Sequence, residues 1–227
     1  FNVEDVIVKT NHVISFQLAK LSFFFPENDS YVGQWRVANI GLNEAFIQAQ
    51  DSNYYLLDER VTLLLQKRKR YSHKGHYGHA LLMAGSFGKM GAAVLAAKAC
   101  LRSGAGLLTV QVPKCAYDIL QTTVPEAMCL VDSNDKYLSD LPSIPNFSAI
   151  GIGPGIGLNT NSQQLLKGLL QESKQGLLLD ADALNILSAN QDLLRYLPHE
   201  SILTPHIKEF DRLVGTCSNS LERFQKQ

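Results

Sequence analysis

Apolar and polar positions follow two rhythms along this chain, and the rhythm changes near residues 60–75. In the first part, Val6-Ile7-Val8 and Val13-Ile14-Ser15-Phe16 are rich in side chains that favour strands. Gln34-Trp35-Arg36-Val37-Ala38-Asn39-Ile40 alternates polar and apolar, as a half-buried strand does. Pro26-Glu27-Asn28-Asp29-Ser30 has turn or loop composition. No helix of useful length is expected before Thr62. Residues 1–60 are too few to bury a core of their own. They read as the tail of a preceding domain, or as strands on the edge of the main one, which takes residues 61–227.

From His79 onward strands and helices alternate. Ala80–Ala84 is a strand closed by Gly85-Ser86-Phe87-Gly88. Met90–Ser103 is a helix, with Ala92, Leu95, Ala96, Ala99 and Cys100 at helical spacing and Gly104-Ala105-Gly106 at its end. Leu107–Val112 is a strand, Cys115–Thr122 a short helix and Ala127–Val131 a strand. Phe147–Ile150 ends another strand, and a helix follows with Leu165, Leu166, Leu169 and Leu170 on its apolar side. Gly176–Asp180 is a strand, Asp182 caps a helix to about Asn190, Ser201–Thr204 is a strand, and Pro205 opens a last helix through Leu213. This order predicts an α/β fold, a largely parallel sheet with helices on both faces. Ligands bind such sheets outside the carboxyl ends of the strands. Gly85-Ser86, Gly151–Gly157, Asp180 with Asp182, and Thr204-Pro205-His206 all fall there.

The richest of these is Gly151-Ile152-Gly153-Pro154-Gly155-Ile156-Gly157, with Asn159 and Thr160 placed to cap the next helix. Glycine admits positive φ and close approach of a ligand. A following helix start offers unpaired N–H groups and a positive dipole end, which together favour an anion. Ile156 or Leu158 stands where G-x-G-x-x-G needs its third glycine, and the loop is not a Walker A loop. A tight strand-to-helix connection is the competing reading.

Composition narrows the class. The 227 residues are 45% hydrophobic with zero formal net charge, so no global field favours nucleic acid or membrane, and neither is an expected partner. Apolar runs such as Leu21–Pro26 are too short to span a bilayer. Cys100, Cys115, Cys129 and Cys217 form no C-x-x-C pair. They read as free thiols, the first three buried and Cys217 exposed, in a reducing and hence cytoplasmic compartment. Lys67-Arg68-Lys69-Arg70 reads as a solvated linker, with phosphate contact the competing reading. His73, His76 and His79 lack a further ligand at usual spacing, and no metal is assigned to them.

Seven segments in order resemble one known family: Lys74-Gly75-His76-Tyr77-Gly78, Ala84-Gly85-Ser86 with Gly91-Ala92-Ala93, Arg102–Leu107, Pro125-Glu126-Ala127-Met128, Gly153–Gly157, Leu179–Asn185, and Leu203-Thr204-Pro205-His206 with Glu209-Phe210. They match the ADP-dependent NAD(P)H-hydrate dehydratase domain over about residues 70 to 215. Ser15–Lys20, Phe25-Pro26-Glu27-Asn28 and Ile40-Gly41-Leu42 resemble the tail of the NAD(P)H-hydrate epimerase domain fused upstream in bifunctional members. The resemblance implies a ribokinase-like fold and a multifunctional, ATP-binding repair enzyme, a lyase fused to an isomerase. Its substrates would be hydrated NADH and NADPH. ADP would phosphorylate the added hydroxyl of the S epimer, and phosphate would then leave, giving NAD(P)H, AMP and phosphate. Magnesium is implied with ADP, K+ at the epimerase site, and a homo-oligomer as the assembly.

By resemblance, Ala92, the glycines Gly153, Gly155 and Gly157, and His206 contact the hydrated nicotinamide. Asp180 and Asp182 are placed at the cofactor, with Asp180 the metal candidate and Asp182 also a candidate helix cap. A bulky residue at Gly155 is expected to harm binding more than folding, and loss of His206 to leave stability nearly unchanged. Ile207-Lys208 departs from the family's Pro-Gly after the histidine. Members continue with a Lys-Gly strand that holds the adenine nucleotide and a Gly-Thr-Gly-Asp helix start that carries the catalytic aspartate. Neither occurs before Gln227, and the chain starts at Phe1 rather than methionine. The expectation is a fragment, incomplete at the C-terminus, inactive alone, with catalytic residues beyond Gln227. Its last helix should expose Phe210 and Leu213, or the sheet beside them. Another ribokinase-like small-molecule kinase, or a non-catalytic nucleotide-binding fragment, are the alternatives.

Overall fold

The structure is a computed structural model that describes residues 7–64, 67–144 and 146–227. Two compact units divide it. Residues up to Lys67 join Cys217–Gln227 in one, and Arg68–Thr216 form the other.

In the first unit, β1 (His12–Phe16) pairs in parallel with β2 (Gln34–Ala38), and Val13 lies opposite Trp35. Helix α1 (Asp29–Val32) lies between them, and α2 (Glu44–Gln48) follows. Aromatics supply most of the packing. Phe23 and Phe24 sit 5.6 and 5.4 Å from Trp35 between ring centroids. Phe224 meets Phe25 edge-on at 6.0 Å and stacks with Tyr54 at 5.6 Å. Two expectations change here. Ile7 and Val8 form no strand, as no described strand pairs with them; Val6 lies outside the described residues. The Pro26–Ser30 segment is helical: Pro26, with φ preset and no N–H to lose, opens a 3₁₀ turn that runs into α1.

The second unit is a six-stranded parallel sheet. Its elements are β3 (His79–Met83), α3 (Met90–Arg102), β4 (Leu107–Val112), α4 (Tyr117–Thr123), β5 (Met128–Val131), β6 (Ala149–Ile152), α5 (Thr160–Glu172), β7 (Leu177–Leu179), α6 (Asp182–Ala189), β8 (Ile202–Leu203) and α7 (Ile207–Val214). The spatial order is β5-β4-β3-β6-β7-β8. The chain therefore winds outward from β3 to one edge, returns, and winds outward from β6 to the other.

Alternation along the strands sorts the core into two layers. Leu81, Met83, Ile150, Ile152, Leu177 and Leu179 face α5 and α6, whose Leu165, Leu166, Leu169, Leu170, Ala183, Leu184, Ile186 and Leu187 are buried against them. Leu108, Val110 and Val112 face α3 and α4, where Ala93 and Ala97 permit close approach. Asn159 caps α5 as expected, accepting the Ser162 N–H at 3.1 Å.

The basic run is partly structural. The Arg68 guanidinium donates to the Gly104 carbonyl at 3.1 Å and lies 4.6 Å from the centre of the Tyr77 ring, so it closes the end of α3. The thiols of Cys100, Cys115, Cys129 and Cys217 are all half-buried, where burial had been expected for three and exposure for the last. Burial pushes the Cys100 and Cys129 thiols up, which keeps them unreactive. Of the two expected places for exposed apolar surface, the structure has the sheet, where Leu178 and Ile202 are exposed; Phe210 is buried and Leu213 packs against the main core, because α7 lies along α6. The last helix is also not α7: α8 (Ser220–Lys226) follows and belongs to the first unit. Among the described residues, no helix is long and apolar enough to cross a membrane.

One buried carboxylate organises the loop after β5. Asp132 accepts the N–H groups of Asn134, Ser139 and Asp140, the Ser139 hydroxyl and the Gln111 amide. Burial raises its pKa, but the hydrogen bonds outweigh burial and the net position is below the ordinary value. A depressed folded pKa contributes stability above the unfolded value near 4, and loses it as pH falls through the folded value. Asp132→Asn should therefore cost about 3 kcal/mol at pH 7. Urea melts should show the gap to wild type narrowing below about pH 4.

Candidate functional site

The sheet order places a topological switch between β3 and β6, adjacent strands whose chains continue to opposite edges. In sheets of this kind ligands bind outside the carboxyl ends of the strands at such a point. The loop after β3, residues 84–89, and the glycine loop after β6 meet at that point.

Backbone and side-chain hydrogen bonds fix the two loops together. The Gly85 N–H donates to the Pro154 carbonyl at 2.8 Å, and the buried Ser86 hydroxyl donates to the Gly155 carbonyl at 2.7 Å. Gly153 and Gly155 are required by geometry. At Gly153 (φ +136) a Cβ would fall 1.8 Å from the Asp180 carbonyl oxygen, so β6 can turn only without a side chain. At Gly155 (φ +70) a Cβ would lie 3.0 Å from both the Ala92 Cβ and the Lys89 carbonyl. Ala92 and Gly155 are therefore packing partners, which is why a small residue stands at each. This reverses the expected effect of bulk at Gly155: the side chain would strain the fold before it reached a ligand.

Asp182 does not cap α6 with its side chain. The cap position is Ala181, at φ +50, and Asp182 is the first helical residue. Its carboxylate reaches across to accept the Gly157 N–H at 2.9 Å and the Lys89 ammonium at 3.1 Å. One carboxylate thus ties the starts of α3 and α6 to the glycine loop. Sequence reasoning missed Lys89, because its partner lies 93 positions away and the pair leaves no local signal.

Asp180 sits at the end of β7 and accepts the Thr204 hydroxyl through Oδ1 at 2.8 Å. Magnesium beside phosphates takes one or two carboxylates and fills its shell with phosphate oxygens and water. Asp180 fits that part. Asp182 fits it less well, since Lys89 already balances its charge.

His206 is the N-cap of α7. Its Nδ1 accepts the Lys208 N–H at 3.1 Å, and its Nε2 lies 3.2 Å from Oε1 of the buried Glu209, whose Oε2 accepts the His206 N–H at 3.0 Å. An accepting Nδ1 leaves the proton on Nε2, facing the carboxylate. The side chain is still 62% exposed. Its cap role means that loss of the ring costs stability, against expectation. Helix capping is invisible in a Pro-His pair unless Glu209, three residues on, is read as the other half of the box. The structure thus gathers Ala92, Gly153, Gly155, Gly157, Asp180 and Asp182 around the switch point and puts His206 two strands away, beyond β7, at the end of β8.

The family model for NAD(P)H-hydrate dehydratase matches residues 80–227. The chain belongs to the NAD(P)H-hydrate dehydratase family. A bifunctional NAD(P)H-hydrate repair enzyme from Coxiella burnetii is 35% identical over 222 residues, which is 97% of this chain and 44% of that protein. The chain thus spans less than half the length of this relative. Among solved structures, a ribokinase-like superfamily protein from Enterococcus faecalis superposes with a TM-score of 0.63 at 28% identity, covering 78% of this chain and 66% of that one. An ADP/ATP-dependent NAD(P)H-hydrate dehydratase from Bacillus subtilis, co-crystallised with ATP and Mg2+, gives 0.55 at 31% identity, covering 72% and 55%. The fold is ribokinase-like.

Two glycine substitutions separate backbone strain from packing. Gly88 has φ +81 and nothing within 4 Å of a Cβ, whereas Gly155 meets Ala92 and Lys89. Gly88→Ala should cost about 1 kcal/mol and Gly155→Ala about 3 kcal/mol in urea unfolding. Equal costs would mean that Gly155 is not packed against α3.

Proposed function

We propose that this chain supplies the hydrated-nicotinamide side of an ADP-dependent NAD(P)H-hydrate dehydratase site, in a cytoplasmic repair enzyme that also carries an epimerase domain ahead of residue 60. The observation that carries this reading is the clamp between Gly85-Ser86 and Gly153–Gly157 at the switch point. On this reading the clamp is the small-residue floor of the substrate site at the strand ends, and His206, after β8, is a residue of its rim.

In the reaction, the added hydroxyl of the hydrate attacks the β-phosphorus of ADP, its proton leaves, and the bond to AMP breaks. The carbon–oxygen bond then breaks with its electron pair going to phosphate, and a proton from the neighbouring carbon departs as the ring double bond returns. Magnesium, when bound with ADP, neutralises charge on the transferring group. This chain's residues hold the ring. Ala92 and Gly155 shape the floor, Asp182 holds the loop through Gly157, and Asp180 with Thr204 offers a carboxylate toward the phosphate side. The part of His206 on this reading is to bind and orient. The acid–base aspartate is read as lying outside these 227 residues. On this reading residues 1–227 alone give no ADP-dependent turnover.

His206 tests the reading with its capping role set apart. In the full-length protein, with hydrated NADH and ADP, His206→Ala should lower kcat/KM about tenfold or more, near 1.4 kcal/mol, and also lower Tm. His206→Asn retains a good N-cap, so its Tm should stay near wild type while kcat/KM still falls. Wild-type turnover in the asparagine variant would make the histidine purely structural.

A further inference from the structure

The loop after β3 carries a feature that neither the clamp nor the hydrated ring uses. Phe87 follows the buried Ser86 directly, yet its side chain is 65% exposed. Single exposed apolar residues are common on protein surfaces. Phe87 differs in how firmly its surroundings are built. Its N–H donates to the Lys136 carbonyl at 2.8 Å, and the Lys136 ammonium lies 5.5 Å from the centre of its ring. Lys136 is in turn held by the Asn134 side chain, which accepts its N–H at 2.9 Å. That loop is knotted around the buried Asp132, and Lys114 and Cys115 donate to its carbonyls from the neighbouring strand end. A rigid loop therefore presents an aromatic ring with a cation over one of its faces, one residue from the glycine clamp.

We propose that Phe87 and Lys136 form a subsite for the purine nucleotide half of the hydrated dinucleotide. This rests on the functional reading above. An aromatic face stacks on a base, and an ammonium beside it pairs with the adjoining phosphate. Position supports this assignment. His206 follows β8, and Phe87 follows β3, three strand steps away, or roughly 14 Å. A dinucleotide whose nicotinamide lies between the glycine loop and His206 has the length to lay its other half toward β3 and the loop after β5.

The test uses the full-length protein and two substrates, hydrated NADH and hydrated reduced nicotinamide mononucleotide, which lacks the purine half. Competition against hydrated NADH gives the mononucleotide's affinity even if its own turnover is slow. Phe87→Ala should raise KM for hydrated NADH about tenfold with kcat nearly unchanged, and leave mononucleotide affinity within about twofold. Phe87→Tyr should restore the dinucleotide KM. Lys136→Gln should raise that KM about threefold, and the loss should shrink at high salt. Equal losses on both substrates would place Phe87 at the nicotinamide and overturn the subsite, as would no loss on either. No wild-type turnover of either hydrate would overturn the functional reading, and the subsite with it.

Discussion

The backbone of Gly153 passes so close to Asp180 that a Cβ would fall 1.8 Å from its carbonyl oxygen. That contact sets the direction in which the chain leaves β6. Everything at the crevice depends on it: the Pro154 carbonyl meets Gly85, the Gly155 carbonyl meets Ser86, and the Gly157 N–H meets Asp182. A side chain at residue 153 would push the loop off β7 and break all three. The constraint lies in the backbone, so no change of nearby side chains can relieve it.

The clamp also explains why a ribokinase-like sheet suits this family's chemistry. Phosphoryl transfer asks the protein chiefly to position groups and stabilise charge. A switch point between two strands of a rigid parallel sheet gives a crevice whose floor is backbone. Side chains that follow the strands stand around it: His206 after β8, Phe87 after β3, and Asp180 after β7. The floor is held by hydrogen bonds in which buried groups are paired, so it stays fixed while rim residues determine what fits.

Much of the second unit was legible in the sequence because its strands are short apolar runs and its helices carry caps and small-residue faces. The Asn159 cap and the six parallel strands follow from local composition. What escaped was long-range and polar. Lys89 meets Asp182 across 93 positions, and Asp132 collects donors from a loop whose composition resembles plain solvent-exposed chain. Neither leaves a periodic trace. The first unit was harder still. Its strands pair in parallel and its core is aromatic, with Phe224 arriving from the far end of the chain. A two-strand sheet has no period long enough to reveal such a partner.

The same distinction separates the site residues that were foreseen from those that were not. Glycines and a histidine stand out by residue type, so motif reading finds them, but it assigns them all to the ligand. Physical contacts divide them differently. Gly155 and Ala92 are first a packing pair, Asp182 is first a loop tie, and His206 is first a helix cap. Each role fixes the residue's orientation, so a residue proposed to bind is also one that holds the fold. A substitution that abolishes activity at such a position is ambiguous by itself. It becomes informative only when the replacement preserves the structural bond and removes the group that faces the ligand, as asparagine does for the cap at residue 206.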